Sequence, residues 1–221
     1  MNIIDIIGPV MIGPSSSHTA GAVRLGLLAA GILGAPPVKA QIDLHGSFAH
    51  TYRGHGTDVA LLAGLMGWLP DDARIPQARK YAAEAGLEYN FAKVNLGDLT
   101  HPNTARFTLT AKDGKSCDVI GSSIGGGQVK VSAIDGAEVE LDGKLPALLV
   151  SHTDKPGVIA LVSSTLASAS VNIATMRVFR KNKGGLATMV LECDQKVQPA
   201  IVQLLAALPP IDTVRFVDSV L

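Results

Sequence analysis

Val38-Lys39-Ala40-Gln41-Ile42-Asp43-Leu44-His45 alternates apolar and polar side chains, the period-2 signature of a half-buried strand. The strand's end opens the segment His45-Gly46-Ser47-Phe48-Ala49-His50-Thr51-Tyr52-Arg53-Gly54-His55-Gly56-Thr57-Asp58, a loop rich in His and Gly. Two apolar stretches flank this strand and loop. The first, over about residues 19–33, is built of Ala, Leu and Val, and ends near Gly34 with Pro36-Pro37 beyond, a helix stop. The second spans about residues 57–68 and stops before Pro70. Both are apolar nearly all round, so both are expected as buried helices. Helix, strand, loop, helix is an α/β-type order, and a loop that leaves a strand and feeds a helix is where such folds place their sites.

Further along, a third helix fits residues 75–85. Strands over 105–111 and 116–120 are joined through Lys112-Asp113-Gly114-Lys115, whose Asp-Gly is a strong hairpin signal. Strands over 128–134 and 138–141 meet at Asp135-Gly136, and Ser122-Ser123-Ile124-Gly125-Gly126-Gly127 reads as a loop between the two pairs. Its three glycines lack the strand, spacing and helix of a dinucleotide fingerprint and suit a flexible turn. Asp142-Gly143-Lys144 reads as a linker, dividing residues 1–144 from 145–221. After it come a strand (147–151), an amphipathic helix (155–170) with Val158, Leu161, Val162, Thr165 and Leu166 on one side, strands over 171–179 and 186–192, a helix (197–208) and a last strand (211–217). That order, βαββαβ, is ferredoxin-like. The class is therefore α+β: an α/β N-terminal domain followed by a small ferredoxin-like module.

Composition limits the functions available. Apolar residues are 47% and charged residues 17% of the 221, ample for packed cores and against disorder. Lys+Arg and Asp+Glu balance at 19 each, so there is no electrostatic case for nucleic acid or an anionic membrane. No run of about 18 apolar residues suggests a membrane span. The start, Met1-Asn2-Ile3-Ile4-Asp5, lacks a basic signal-peptide region; the expectation is a cytoplasmic protein. Cys117 and Cys193 are far apart and form no CxxC, so two buried thiols are expected and no disulfide. An iron-sulfur cluster takes about three or four thiolates, more than this chain can offer.

Three segments carry chemistry. Gly13-Pro14-Ser15-Ser16-Ser17-His18-Thr19 precedes the first buried helix. One serine there caps the helix, and the remaining hydroxyls and free amides suit a substrate carboxylate; a merely capped, serine-rich loop is the plainer reading. In the second segment, glycines on both sides of His55 let a substrate approach its ring, which can act as a base near neutral pH. Its three histidines fit no zinc motif. The third, Ser151-His152-Thr153-Asp154-Lys155-Pro156-Gly157, joins strand to helix; Asp154 reads as its N-cap and Pro156 as first-turn proline, with Asn172 on the next strand.

Together these segments resemble the beta region of bacterial iron-sulfur-dependent L-serine dehydratases. Gly13 to Thr19 and Gly54-His55-Gly56-Thr57-Asp58 carry the resemblance, Ser123-Ile124-Gly125-Gly126-Gly127 matches a third element, and the tail from about Leu145 looks like an ACT domain with Asp154 to Gly157 as its ligand loop. The N-terminal domain is also similar to the allosteric substrate-binding domain of some phosphoglycerate dehydrogenases. The resemblance implies elimination of L-serine to pyruvate and ammonia, with the 4Fe-4S cluster on a separate alpha subunit. It further implies His55 as base, with His18 as the next candidate. Ser15, Ser16, Ser17, Thr19, Gly54, Gly56 and Thr57 would lie around the substrate. Arg53 aligns with no family role. His152, Asp154, Gly157 and Asn172 would surround a regulatory ligand; Asp154 stands where phosphoglycerate dehydrogenases have Asn. A homo-oligomer through either domain is expected. The competing reading is a non-catalytic amino-acid-binding regulatory protein, which would not need an imidazole between glycines.

Overall fold

The computed structural model describes residues 9–221; the stretch read above for a signal peptide lies outside them. Two compact units divide at Asp135/Gly136.

In the first unit, a single wide π-type turn, Ser16–Ala20, passes directly into α1 (Gly21–Leu33). Gly34, at φ 78°, ends α1 and returns its N–H to Ala30, the left-handed stop that glycine adopts without a steric penalty. Then follow β1 (Pro37–His45), α2 (Gly46–Thr51), α3 (Thr57–Leu65), a short 3-10 turn at Ile75–Gln77 leading into α4 (Ala78–Glu84), β2 (Glu88–Lys93), β3 (Thr104–Ala111), β4 (Ser116–Gly125) and β5 (Gln128–Ile134). Within this unit the sheet order is β2-β1-β3-β4-β5. β1 runs parallel to β2 and antiparallel to β3, and the remaining pairs are antiparallel. α1 packs on α3 and on β4. Leu25, Leu28 and Ile32 of α1, Leu61 and Leu62 of α3, and Ile42, Leu44, Phe107 and Leu109 of the sheet are fully buried, as the all-round apolar helices anticipated.

Three features depart from expectation. The His-Gly segment is not all loop: residues 46–51 form α2, started by Gly46 at φ 58° and held by Phe48 N–H on Pro102 O at 3.3 Å. β2 was not anticipated. And β4 continues through Ser122–Gly125, where a loop was expected, because Ser122, Ser123 and Gly125 pair with Lys130, Val129 and Gln128 of β5. The turn shrinks to its glycines, at φ 106°, 59° and 76° for Gly125, Gly126 and Gly127, a run that only glycine takes readily.

The second unit begins with β6 (Ala137–Leu141), followed by β7 (Ala147–Thr153), α5 (Val158–Ser168), β8 (Ile173–Arg180), β9 (Leu186–Cys193), α6 (Pro199–Ala206) and β10 (Ile211–Val217). Strand order β10-β7-β9-β8, antiparallel throughout, is the ferredoxin-like arrangement. Val158, Val162 and Leu166 of α5 meet Leu148, Val150, Met189 and Leu191 of the sheet in its core. The cap expected of Asp154 is not made. Gly157, at φ 92°, precedes α5 without a side-chain cap, while the Asp154 carboxylate accepts from Gly184 N–H at 3.0 Å and pairs with Arg180 at 2.6 Å. Asn172 sits just before β8, not on it. No helix among the described residues is long and apolar enough to cross a membrane.

Candidate active site

The two motifs of the first unit meet. Ser15 caps the π-type turn, its Oγ accepting His18 N–H at 3.3 Å. Gly13 is needed beside it, since a Cβ there would lie 2.2 Å from Thr19 Oγ1. His18 points across to α2: its Nε2 lies 3.1 Å from Thr51 Oγ1 and 3.3 Å from Ser47 Oγ, and its Nδ1 3.4 Å from Ser15 Oγ. Phe48 meets it edge-on, with centroids 5.2 Å apart. The His55 ring stacks on it at 4.8 Å and a 34° tilt. Residues 37 positions apart thus form one imidazole pair.

His55 is exposed. Its backbone N–H donates to Thr51 O at 3.0 Å, and its ring Nδ1 lies 3.4 Å from the same oxygen. A carbonyl only accepts, so Nδ1 is the donor of that contact, and Nε2 has no hydrogen-bond partner among the described residues. That is the geometry of an available base. The other two histidines are differently engaged. His45 Nδ1 accepts Leu96 N–H at 3.1 Å, and His50 Nδ1 donates to Gly46 O at 2.7 Å. Arg53 lies over the Tyr52 ring, 5.5 Å from its centroid, at the surface.

Ser16 and Ser17, half-buried, make no side-chain hydrogen bond among the described residues. Thr19, Thr57 and Ser123 are buried, and their hydroxyls lack partners there. A buried hydroxyl without a partner costs about 1–3 kcal/mol; Thr19 and Thr57 lie at the two helix starts and Ser123 on β4. Ser123 is pressed onto Gly21, where a Cβ would lie 2.0 Å from its Oγ. Sequence reasoning missed Ser47 and Thr51, although their i, i+4 spacing is the signal of a shared helix face.

Burial, and then the charge of His55, hold the His18 pKa below its ordinary 6.5. The sign follows from linkage: the unfolded chain takes up this proton at higher pH than the folded one, so stability is full above 6.5 and falls as pH drops below it. His18→Gln, which keeps polar contacts without titrating, should flatten the loss of melting temperature between about pH 7 and 5. An unchanged slope would remove His18 from that role.

In the second unit, His152 is 2% exposed. Its Nδ1 donates to Thr153 O at 2.9 Å, and its buried Nε2 has no partner among the described residues. Asp154, its carboxyl held below the usual range by Gly184 N–H and Arg180, and exposed Asn172, donating to Asp194 at 2.5 Å, are already engaged. Gly157 keeps open space around its Cα.

The chain's thiols do not fit an iron-sulfur cluster of their own. Cys117 is buried on β4 of the first unit and Cys193 ends β9 of the second, where burial pushes its thiol pKa up. No group of three or more His, Cys, Asp or Glu among the described residues is arranged to hold a metal.

The family model described as serine dehydratase beta chain matches residues 2–95, and that of the ACT domain matches residues 147–210. The "Probable L-serine dehydratase, beta chain" of Bacillus subtilis (strain 168) is 45% identical over 210 residues, covering 95% of this chain and 94% of that one. The L-serine dehydratase beta chain of Peptoniphilus asaccharolyticus is 37% identical, over 97% of this chain and 96% of its own. A D-3-phosphoglycerate dehydrogenase of Bacillus subtilis is 26% identical over 89% of this chain but only 37% of its own length.

Proposed function

The chain belongs to the L-serine dehydratase beta-chain family, and from that premise we propose that it is the base-bearing subunit of a cytoplasmic iron-sulfur L-serine ammonia-lyase. The observation that carries this is His55: an exposed residue with Nδ1 anchored on Thr51 O, the ring stacked on His18, and no hydrogen bond to Nε2 among the described residues. The substrate carboxylate would sit at the start of α1, on the hydroxyls of Ser16 and Ser17 with Ser15 and Thr19 beneath, in the partial positive charge of the helix N-terminus. Thr57 and the Cβ-free Gly54 and Gly56 would border the α-carbon. His55 Nε2 removes the α-proton and His18, held neutral by burial, adds no competing charge beside it. Loss of the β-hydroxyl then gives aminoacrylate, which hydrolyses to pyruvate and ammonia. A 4Fe-4S cluster, which we place on the alpha partner, would supply Lewis-acid chemistry for the departure of the hydroxyl when bound.

The ACT domain would pair with a second copy. β8 is an edge strand with exposed Met176 and Val178, a surface suited to strand pairing. His152 Nε2, without a partner among the described residues, favours an amino-acid ligand there; the engaged carboxylate of Asp154 argues against that carboxylate holding one directly.

Purification tests the reading. The chain alone should be colourless and iron-free; with its alpha partner it should yield a brown, oxygen-sensitive complex that forms pyruvate from L-serine. Stoichiometric iron and sulfide on the isolated chain, or a complex that binds serine but forms no pyruvate, would overturn it, the latter in favour of a regulatory protein.

A further inference from the structure

Both imidazoles of the pair lean on one residue. Thr51 is half-buried at the end of α2. Its carbonyl holds His55 twice, at the backbone N–H and at Nδ1. Its hydroxyl faces His18 Nε2 at 3.1 Å and at the same time donates to Ser47 O at 2.8 Å.

A hydroxyl has one proton. The Thr51 proton is directed at the Ser47 carbonyl, so the oxygen turns a lone pair toward His18. Nε2 must then be the protonated nitrogen, with Ser47 Oγ at 3.3 Å as a second, longer acceptor. The opposite tautomer would set two lone pairs against each other across 3.1 Å. With Nε2 protonated, His18 Nδ1 is the acceptor. It takes the Ser15 hydroxyl proton at 3.4 Å, while Ser15 Oγ accepts His18 N–H at 3.3 Å. The chain of donors runs from Ser15 to His18, Thr51 and the Ser47 carbonyl without conflict.

We propose that Thr51 is the positioning residue of the imidazole pair, fixing His18 as its Nε2–H form through the hydroxyl and His55 as its Nδ1–H form through the carbonyl. The two stacked rings are therefore held in opposite tautomers. Among the described residues every ring nitrogen of the pair has a partner except His55 Nε2, so a proton arriving from a substrate has one place to go. The inference deepens the reading of this site as a dehydratase centre and rests on it for its kinetic part only. The specialisation of two neighbouring histidines into one base and one fixed support needs no acidic residue, and none is hydrogen-bonded to either ring among the described residues.

Thr51→Val keeps the shape and the carbonyl and removes the hydroxyl; Thr51→Ser restores it. Long-range proton–nitrogen correlation on the isolated chain, labelled at histidine nitrogen, reads the tautomers directly. In the wild type, His18 should show a protonated Nε2 and His55 a protonated Nδ1. In Thr51→Val the His18 signals should move toward a mixture of tautomers while those of His55 stay, and Thr51→Ser should return them. In the assembled enzyme Thr51→Val should lower kcat about three- to tenfold, the range of one neutral hydrogen bond, with KM nearly unchanged and Thr51→Ser close to wild type. A wild-type His18 protonated at Nδ1, or His18 signals indifferent to Thr51→Val, would overturn the proposal. Full kcat in Thr51→Val would overturn its catalytic relevance. Correct tautomers in an assembled chain that makes no pyruvate would instead count against the dehydratase reading and leave the tautomer assignment standing.

Discussion

His55→Ala in the assembled enzyme should all but abolish pyruvate formation, with the fold and serine binding preserved. Losing a general base costs about 10²–10⁴-fold in rate, and the weakly acidic α-proton of serine places the expectation at the upper end. The ring is exposed and flanked by Gly54 and Gly56, so little packing depends on it. The assay is pyruvate release, run beside thermal melting and solvent exchange of the serine α-proton; the exchange should fall with the turnover. His45 and His50 are the controls. His45→Ala strips the acceptor from Leu96 N–H and should lose stability along with activity. His50→Ala removes an exposed ring that only closes onto Gly46 O and should cost less of either. A His55→Ala enzyme keeping more than about a tenth of its rate, too small a loss for a missing base, would move the role to His18. That outcome would also demand a rearranged turn, because the acceptor nitrogen of His18 already faces Ser15.

Where the sequence was legible, periodicity was doing the informing. α1 and α3 are apolar all round and lie buried, the alternation at Val38–His45 is β1, and the βαββαβ order of the tail is the observed module. β2 escaped because its residues, Glu88-Tyr89-Asn90-Phe91-Ala92-Lys93, are none of them fully buried. It pairs in parallel with β1, so no hairpin turn announces it. α2 escaped because six residues opening on glycine are too few to show a helical period, and it is held by a distant carbonyl, Pro102 O. The N-cap assigned to Asp154 failed for the same kind of reason: Arg180 and Gly184, 26 and 30 residues on, take its carboxylate. Of the site, the two motifs were readable one by one. Their stacking, and the part of Ser47 and Thr51, depended on contacts across 29 to 37 residues that no local pattern encodes.

What sets the distance between the motifs lies well away from them, and it supplies a second large expected effect. α1 carries the serine-rich motif at its start and α3 carries the His55 motif at its own, and the two helices touch at Gly26 and Gly64. A Cβ on Gly64 would lie 2.0 Å from Val23 O and 2.8 Å from Leu27 N, and one on Gly26 2.5 Å from Leu61 O. All of these neighbours are backbone, which cannot rotate aside, so even one methyl must push the helices apart. Alanine in place of an interior helical glycine ordinarily gains about 1 kcal/mol. Overpacking a tight core costs about 1–3 kcal/mol and sometimes more; with contact to rigid backbone the upper end applies, and the clash outweighs the gain. Gly64→Ala should therefore destabilise the first unit by about 2 kcal/mol net, read as a lower urea midpoint. It should also lower kcat in the assembled enzyme, since a displacement near 1 Å between reacting groups can cost about 10²-fold. If Gly64→Ala instead stabilises the chain by its helix propensity and leaves kcat intact, the close crossing does not govern the site, and the spacing of His18 and His55 must be set locally, by α2 alone.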